Sequence, residues 1–454
     1  MLRAFSCSEP IGVSLTPDEF ARSLRSGRGN AVLHLQTHDA APYRDVILNA
    51  CLHCVAFDPQ SNGDRADYLF EVVTLTGDVP FYRERILAAL PLACNENYDR
   101  AQVFDLAARF AAHGDEAARS LLYATYIDSL IDAEGTIGDR AIIELDGVQG
   151  FLFVADALGK LLTADATDDI DEMPMYWLKD RVPDADLTAI RTQAEHDQPY
   201  AAAYIARIQA QTAERERRDQ ERNTAETMPS SFDELESLFT TEIGKRYSSK
   251  LVRWGKRASD EDRRKAAEAL IIETDPARQI AYARLFSYVP FPLDPAKLIT
   301  MAESGGDDIM RAAVNAIGTM QHPELRALAL RLLAIPQWGY HAGKLLVTNH
   351  EDGDETLIMS ALIARLSDED TFHDLGLSAL NIFEAHPGPQ NLPAITLLYE
   401  HEPCSFCRGS CIRQLIALDA FADWMIAECL HDGEPDTREQ TREYLRQHLA
   451  HGDK

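Results

Sequence analysis

Positive charge is scarce in this chain of 454 residues: Lys and Arg total 44 against 73 Asp and Glu, a net charge of −29. That balance argues against a protein that coats DNA or RNA, because neutralising phosphates needs clustered cations. Cysteine is sparse as well, eight residues in all, far short of a disulfide scaffold. No run approaches the ~18 apolar residues of a membrane span. Residues 1–15 lack the apolar stretch of a signal peptide. The expectation is a cytoplasmic protein with reduced thiols and no membrane partner.

Runs of alternating β-branched residues are also missing, which removes the usual signature of strands. So are the short motifs that carry a mechanism: no phosphate loop, no dinucleotide glycine fingerprint, no zinc-protease or nucleophile-elbow motif. The acidic run 165–172 lacks the loop glycine and the twelfth-position Glu that calcium requires. An enzyme is therefore the less favoured class.

What is present is helical period. Leu325, Leu328, Ala329, Leu332 and Leu333 mark one buried helix face. Tyr43, Val46, Ile47, Ala50, Cys51 and Cys54 repeat the pattern, as do Ala101, Phe104, Ala107, Ala108 and Ala111. Asp275-Pro276 and Asp294-Pro295 read as N-cap and first-turn pairs, where the missing proline N–H is harmless. Gly114-Asp115 and Gly138-Asp139 read as a helix stop followed at once by a new cap.

The second half repeats. Similar helical blocks begin at Arg278, Arg311, Lys344, Asp374, Arg408 and Arg438, in steps of 33, 33, 30, 34 and 30 residues. A helix pair of that length buries its apolar face only by stacking on its neighbours. Over residues 266–454, and more loosely over 1–212, this pattern resembles the HEAT/armadillo class. The units are shorter than the ~40 residues usual for HEAT repeats. The resemblance implies an all-α fold, a right-handed α-solenoid of stacked antiparallel helix pairs. Three regions are expected: residues 1–212; a charged linker or helix end over 213–231; and a repeat region over 232–454. Its last helix, 434–451, is polar all round apart from a thin stripe, as a capping element should be.

Two clusters invite chemistry. His401, Cys404, Cys407 and Cys411, with Cys429 and His431 downstream, include the Cys-x2-Cys half-site common to zinc. On a regular helix, however, Cys404 to Cys411 spans about 10 Å, too far for one zinc with ~2.3 Å bonds. Core packing is thus favoured over metal for Cys404, Cys407 and Cys411, and for the pair Cys51 and Cys54. No cofactor is expected, zinc being the one alternative.

Residues 245–257 carry six basic side chains and no acidic one. On a helix Arg246, Lys250, Arg253 and Arg257 share one face, and Tyr247, Leu251 and Trp254 another. This reads as a helix docked by its aromatic face. It is also the candidate binding patch, comprising Arg246, Lys250, Arg253, Trp254 and Arg257, for an anionic group. Trp338 and His341 read as packing at a turn, and His373 and His386 carry no assigned role.

The favoured function is a non-enzymatic scaffold that binds a basic protein partner on the concave face of an acidic solenoid. The alternative is an enzyme on the same scaffold, DNA-glycosylase-like or metal-dependent, using the 245–257 cations or the Cys404–Cys411 cluster. Nucleic acid is not the expected partner.

Overall fold

The structure, a computed structural model, describes residues 13–61, 65–92, 97–132, 137–164, 171–225, 228–241 and 248–451. Among the described residues every regular element is helical and there is no strand. None of the described helices is long and apolar enough to cross a membrane.

The chain forms two compact units. Unit 1 contains α1 (Pro17–Ser26), α2 (Asn30–Leu35), α3 (Arg44–Leu52), α4 (Arg65–Leu75), α5 (Val79–Ala89) and α6 (Asn97–Ala112). It continues with α7 (Glu116–Asp132), α8 (Asp139–Asp146), α9 (Val148–Ala164), α10 (Met173–Arg181), α11 (Leu187–Asp197) and α12 (Pro199–Ala225). Alternate helices stack: α2 on α4, α4 on α6, α6 on α8 and α8 on α10, while α1 packs on α3 and α3 on α5. Phe20, Tyr68, Phe104, Phe151 and Tyr204 are all but fully buried within its continuous apolar core.

Local chemistry sets the helix boundaries. Thr16 accepts from the Glu19 N–H while the Glu19 carboxylate accepts from the Thr16 N–H, a capping box at the start of α1. Asp115 caps α7 through the Ala118 N–H at 3.0 Å, as Gly114-Asp115 foretold. At the second such pair the register differs. Gly138, left-handed at φ +102°, is itself the cap, and Asp139 is the first helical residue with its side chain buried.

The charged residues 213–224 belong to the long helix α12, which runs to Ala225. Of the two alternatives held by the sequence, linker or helix end, the structure has the helix end.

Unit 2 contains α13 (Phe232–Thr241), α14 (Ser248–Arg257), α15 (Asp260–Ile272), α16 (Pro276–Arg284), α17 (Ala296–Ser304) and α18 (Asp307–Ile317). It continues with α19 (Pro323–Leu333), α20 (Gly339–Asn349), α21 (Asp354–Ile363), α22 (Glu369–Ala385), α23 (Leu392–His401) and the greater part of α24 (Ser405–Ala417). One row runs α14, α16, α18, α20, α22, each helix packing on the next. The other includes α13 on α15 and α21 on α23. The repeated blocks at Arg278, Arg311, Lys344 and Asp374 fall on successive members of the first row. The stripe Leu325 to Leu333 is buried throughout, and Asp275 caps α16 through the Arg278 N–H at 2.9 Å.

Buried arginines tie helix ends together in each unit. Arg65 donates to the carbonyls of Leu24 and Arg25 at the end of α1. Arg365 donates to those of Leu333, Ile335 and Pro336 after α19. A cation at a helix C-terminus meets both the unpaired carbonyls and the negative end of the dipole.

The last segment, with α25 (Asp423–Cys429) and α26 (Pro435–His451), belongs to unit 1, not to the repeat region that the sequence boundary 232–454 implied. α25 packs on α2. Arg28 pairs with Glu428 at 2.6 Å, His431 with Glu71 at 2.7 Å, and the Gly433 N–H donates to the Gly27 carbonyl at 2.7 Å. α26 packs on α25, with Thr437 and Thr441 fully buried.

Candidate functional site

The basic patch is built as an amphipathic helix. Leu251 and Trp254 are buried, while Arg253, Lys256 and Arg257 point to solvent. Arg253 and Arg257 make no ion pair with any described residue, and the Lys256 ammonium stands 4.4 Å from the centre of the Tyr288 ring. Lys250 is half-buried. Arg246 lies outside the described residues. The structure thus brings Lys250, Arg253, Trp254 and Arg257 onto one helix, with the tryptophan as anchor.

The cysteines pack. α24 begins at Ser405, so Cys404 precedes it, while Cys407 and Cys411 lie on it; all three are buried. Burial pushes the Cys411 thiol well above its ordinary range. Cys51 is buried on α3 and pushed up to about 12, whereas Cys54 lies beyond the end of that helix, its N–H donating to Asp99 at 2.6 Å. Among the described residues no group of three or more His, Cys, Asp or Glu stands where it could hold a metal ion.

Two concavities were not legible in the sequence. In unit 2 a groove of about 510 Å³ runs between α22 and α24. Its floor is apolar, with Leu377, Leu380 and Phe383 facing Ala417 and Leu418. The Gln414 amide N–H donates to the Leu380 carbonyl at 2.8 Å, and its oxygen is buried with no partner among the described residues. One lip is the outer face of α22, where Leu377, Asn381 and Glu384 line the groove and Asp370 and Asp374 continue the same helical spacing beyond it; the exposed Arg413 stands on the α24 side. The three acids are exposed and form no ion pair with a described residue. The repeat block at Asp374 was a partial signal for this face.

On α20, the preceding helix of that row, His341 and Lys344 are half-buried. Burial first, then Arg311 and Lys344, push the His341 imidazole down to about 4. Burial also lowers the Lys344 ammonium, whose hydrogen-bond partner is the Asn315 side-chain oxygen at 2.6 Å.

In unit 1 a concavity of about 320 Å³, partly open to solvent, is lined by residues of α4, α6, the start of α8 and α10 and of the loops beside them. Asp105, Asp139 and Asp171 line it with Arg65, Arg140, Tyr98, Gln102 and Trp177. Burial pushes the Asp105 carboxyl up to about 7, opposed by Arg140 and reinforced by Glu144. Asp139 also reaches about 7, again mainly through burial. The backbone N–H of Arg140 and the Trp177 side chain bond its charged form and hold the rise in check, while Asp171 adds to it. These residues come from four helices and the segment before α10, with no common spacing, so no local motif marks them.

Comparison with protein-family models, with curated proteins and with solved structures finds no match.

Proposed function

We propose that the protein is a non-enzymatic helical-repeat scaffold that docks a basic protein segment in the groove between α22 and α24. The observation that carries this reading is the stripe Asp370, Asp374, Leu377, Asn381, Glu384. It offers three exposed acids that form no ion pair with a described residue, around a leucine: Leu377 and Glu384 line the apolar channel, opposite the exposed Arg413, and Asp370 and Asp374 extend the same helix face beyond it. A segment with Lys or Arg flanking apolar anchors complements it in charge and in shape. The surplus of acid over the whole chain speeds the encounter by the same logic. The stacking of alternate helices supports a right-handed solenoid of HEAT type, whose concave row would include α22. The exposed Arg253 and Arg257 are a second contact in this reading, for an acidic stretch of the partner.

The test is binding of a fluorescein-labelled amphipathic peptide with lysines flanking leucines, followed by anisotropy. Saturable binding that weakens with salt, and falls by about tenfold or more in Asp370→Lys/Asp374→Lys/Glu384→Lys, supports the proposal. Equal binding by wild type and triple variant would refute it.

A further inference from the structure

A partner for the α22–α24 groove needs cations around an apolar anchor, and unit 2 carries such a feature itself. Tyr288, between α16 and α17, is 65% exposed, and the Lys256 ammonium lies 4.4 Å from the centre of its ring. Arg253 lies one turn before Lys256 on α14 and Arg257 directly follows it, so three exposed cations stand together there. None of the three forms an ion pair with a described residue, although acids outnumber Lys and Arg by 73 to 44 in the chain. The acids next in sequence, Asp260 and Glu261, pair instead with Arg263 and Lys265 on their own helix.

The complementary surface lies at the other end of the same row. On α22, Asp370, Asp374 and Glu384 are exposed without an ion pair to a described residue, and Leu377, Leu380 and Phe383 floor the groove. The row runs α14, α16, α18, α20, α22, each helix packed on the next. At ~8–10 Å per step, its two ends stand about 32–40 Å apart within one copy. The basic ridge and the acidic groove therefore meet only between copies.

We propose that the groove of one copy receives the Tyr288 ridge of a second copy of this chain, with Arg253, Lys256 and Arg257 meeting the acids of α22. The inference rests on the groove reading above and names the occupant. Tyrosine suits the contact, because it offers a large apolar ring to the floor and a hydroxyl to the wet rim. Arg413, exposed on the α24 lip, repels the cations and so directs them to the α22 side. The net charge of −29 opposes approach at long range. At physiological salt that repulsion is screened beyond ~8 Å, a distance within which the opposite charges meet. The two patches differ, so the contact is heterologous and joins copies head to tail.

Sedimentation velocity of the full chain between ~1 and ~200 µM, at ~0.15 M salt, tests this. Wild type should shift reversibly from the 50.6 kDa monomer to larger species as concentration rises. At ~1 M salt it should return to monomer. Asp370→Lys/Asp374→Lys/Glu384→Lys and Arg253→Glu/Lys256→Glu/Arg257→Glu should each weaken association by about tenfold or more. Mixed in equal amounts the two triple variants should associate again, since each presents the faces that complement the other. Tyr288→Ser should weaken association to a similar extent. Leu92→Ser, at a residue 78% exposed in unit 1, should leave it unchanged. Every substituted side chain is exposed, so an unchanged melting temperature checks each variant. Wild type that stays monomeric throughout overturns the proposal. Association undiminished at ~1 M salt or in both triple variants overturns it too, as does a mixture that fails to associate. If the labelled peptide still binds the groove, only the second copy falls as its occupant; if the peptide also fails, the groove reading falls with it.

Discussion

Gly255 on α14 lies so close to the backbone of Leu285, which follows α16, that a Cβ would run into the Leu285 carbonyl. Trp254, the residue before it, is buried. Backbone cannot yield as a flexible side chain would, so Gly255→Ala should lower stability by about 2 kcal/mol. The denaturant midpoint checks this. An unchanged midpoint would mean that α14 is held by its side chains alone.

Arg326 and Asp354 make a second tight pair, at 2.5 Å, in which the Asp354 side chain is fully buried. Asp354 also accepts from the Glu351 N–H at 2.9 Å, ahead of α21. Arg326→Ala strands a buried carboxylate and should cost about 3 kcal/mol. Asp354→Ala removes the charge itself, and the double variant should be less destabilised than the sum of the two. Chemical denaturation of all four proteins completes the cycle.

The two units should respond to pH with opposite signs. Asp105 and Asp139 titrate near 3.8 when unfolded and near 7 in the fold. Between these values the folded state holds more protons, so their contribution to stability is largest at acid pH. It declines as pH rises through that window and is level above it. Arg140, Glu144 and Arg109 face Asp105, and Asp171 faces Asp139, so these charges set the slope. Asp139→Asn should therefore stabilise the protein by about 2 kcal/mol at pH 8 and hardly at all at pH 4.

His341 behaves the other way. Its folded value near 4 lies below the 6.5 of the unfolded chain. The unfolded state takes up the proton first, and stability falls as pH drops through that interval. His341→Gln should flatten this acid limb in pH-dependent melting curves, and an unaltered limb would count against the burial of the imidazole.

Helix identity was readable because it is repetitive: each apolar stripe restates the 3.6-residue period, and Leu325 to Leu333 are buried as their spacing required. Caps were readable to within a residue, as at Asp115 and Asp275. Gly138-Asp139 was off by one because a left-handed glycine can itself serve as the cap, freeing Asp139 to turn inward. Burial of Arg65 and Arg365 had no local sign. An arginine in sequence looks solvated, and only tertiary structure supplies the carbonyls that satisfy it. Cys54 fell off its expected helix because α3 ends at Leu52, two residues earlier. Both concavities stayed hidden for one reason: their walls come from different helices, and spacing along the chain says nothing about distance between them.

Thiol chemistry offers a further check. Cys51 and Cys411 are fully buried with thiols pushed upward, and burial also raises Cys54. A thiolate is the reactive form, so folded protein at pH 8 should leave these three unlabelled by a disulfide reagent over minutes. All three should react once the chain is unfolded. Rapid labelling of Cys411 before unfolding would show that α24 opens readily.

The pair Arg28 and Glu428 joins residues 400 positions apart. A ribosome adding ~5–20 residues per second needs on the order of 20–80 s to make that stretch. Through that interval α1 and α2 wait without the helix that will cover them. Slowing translation lengthens that exposure in proportion.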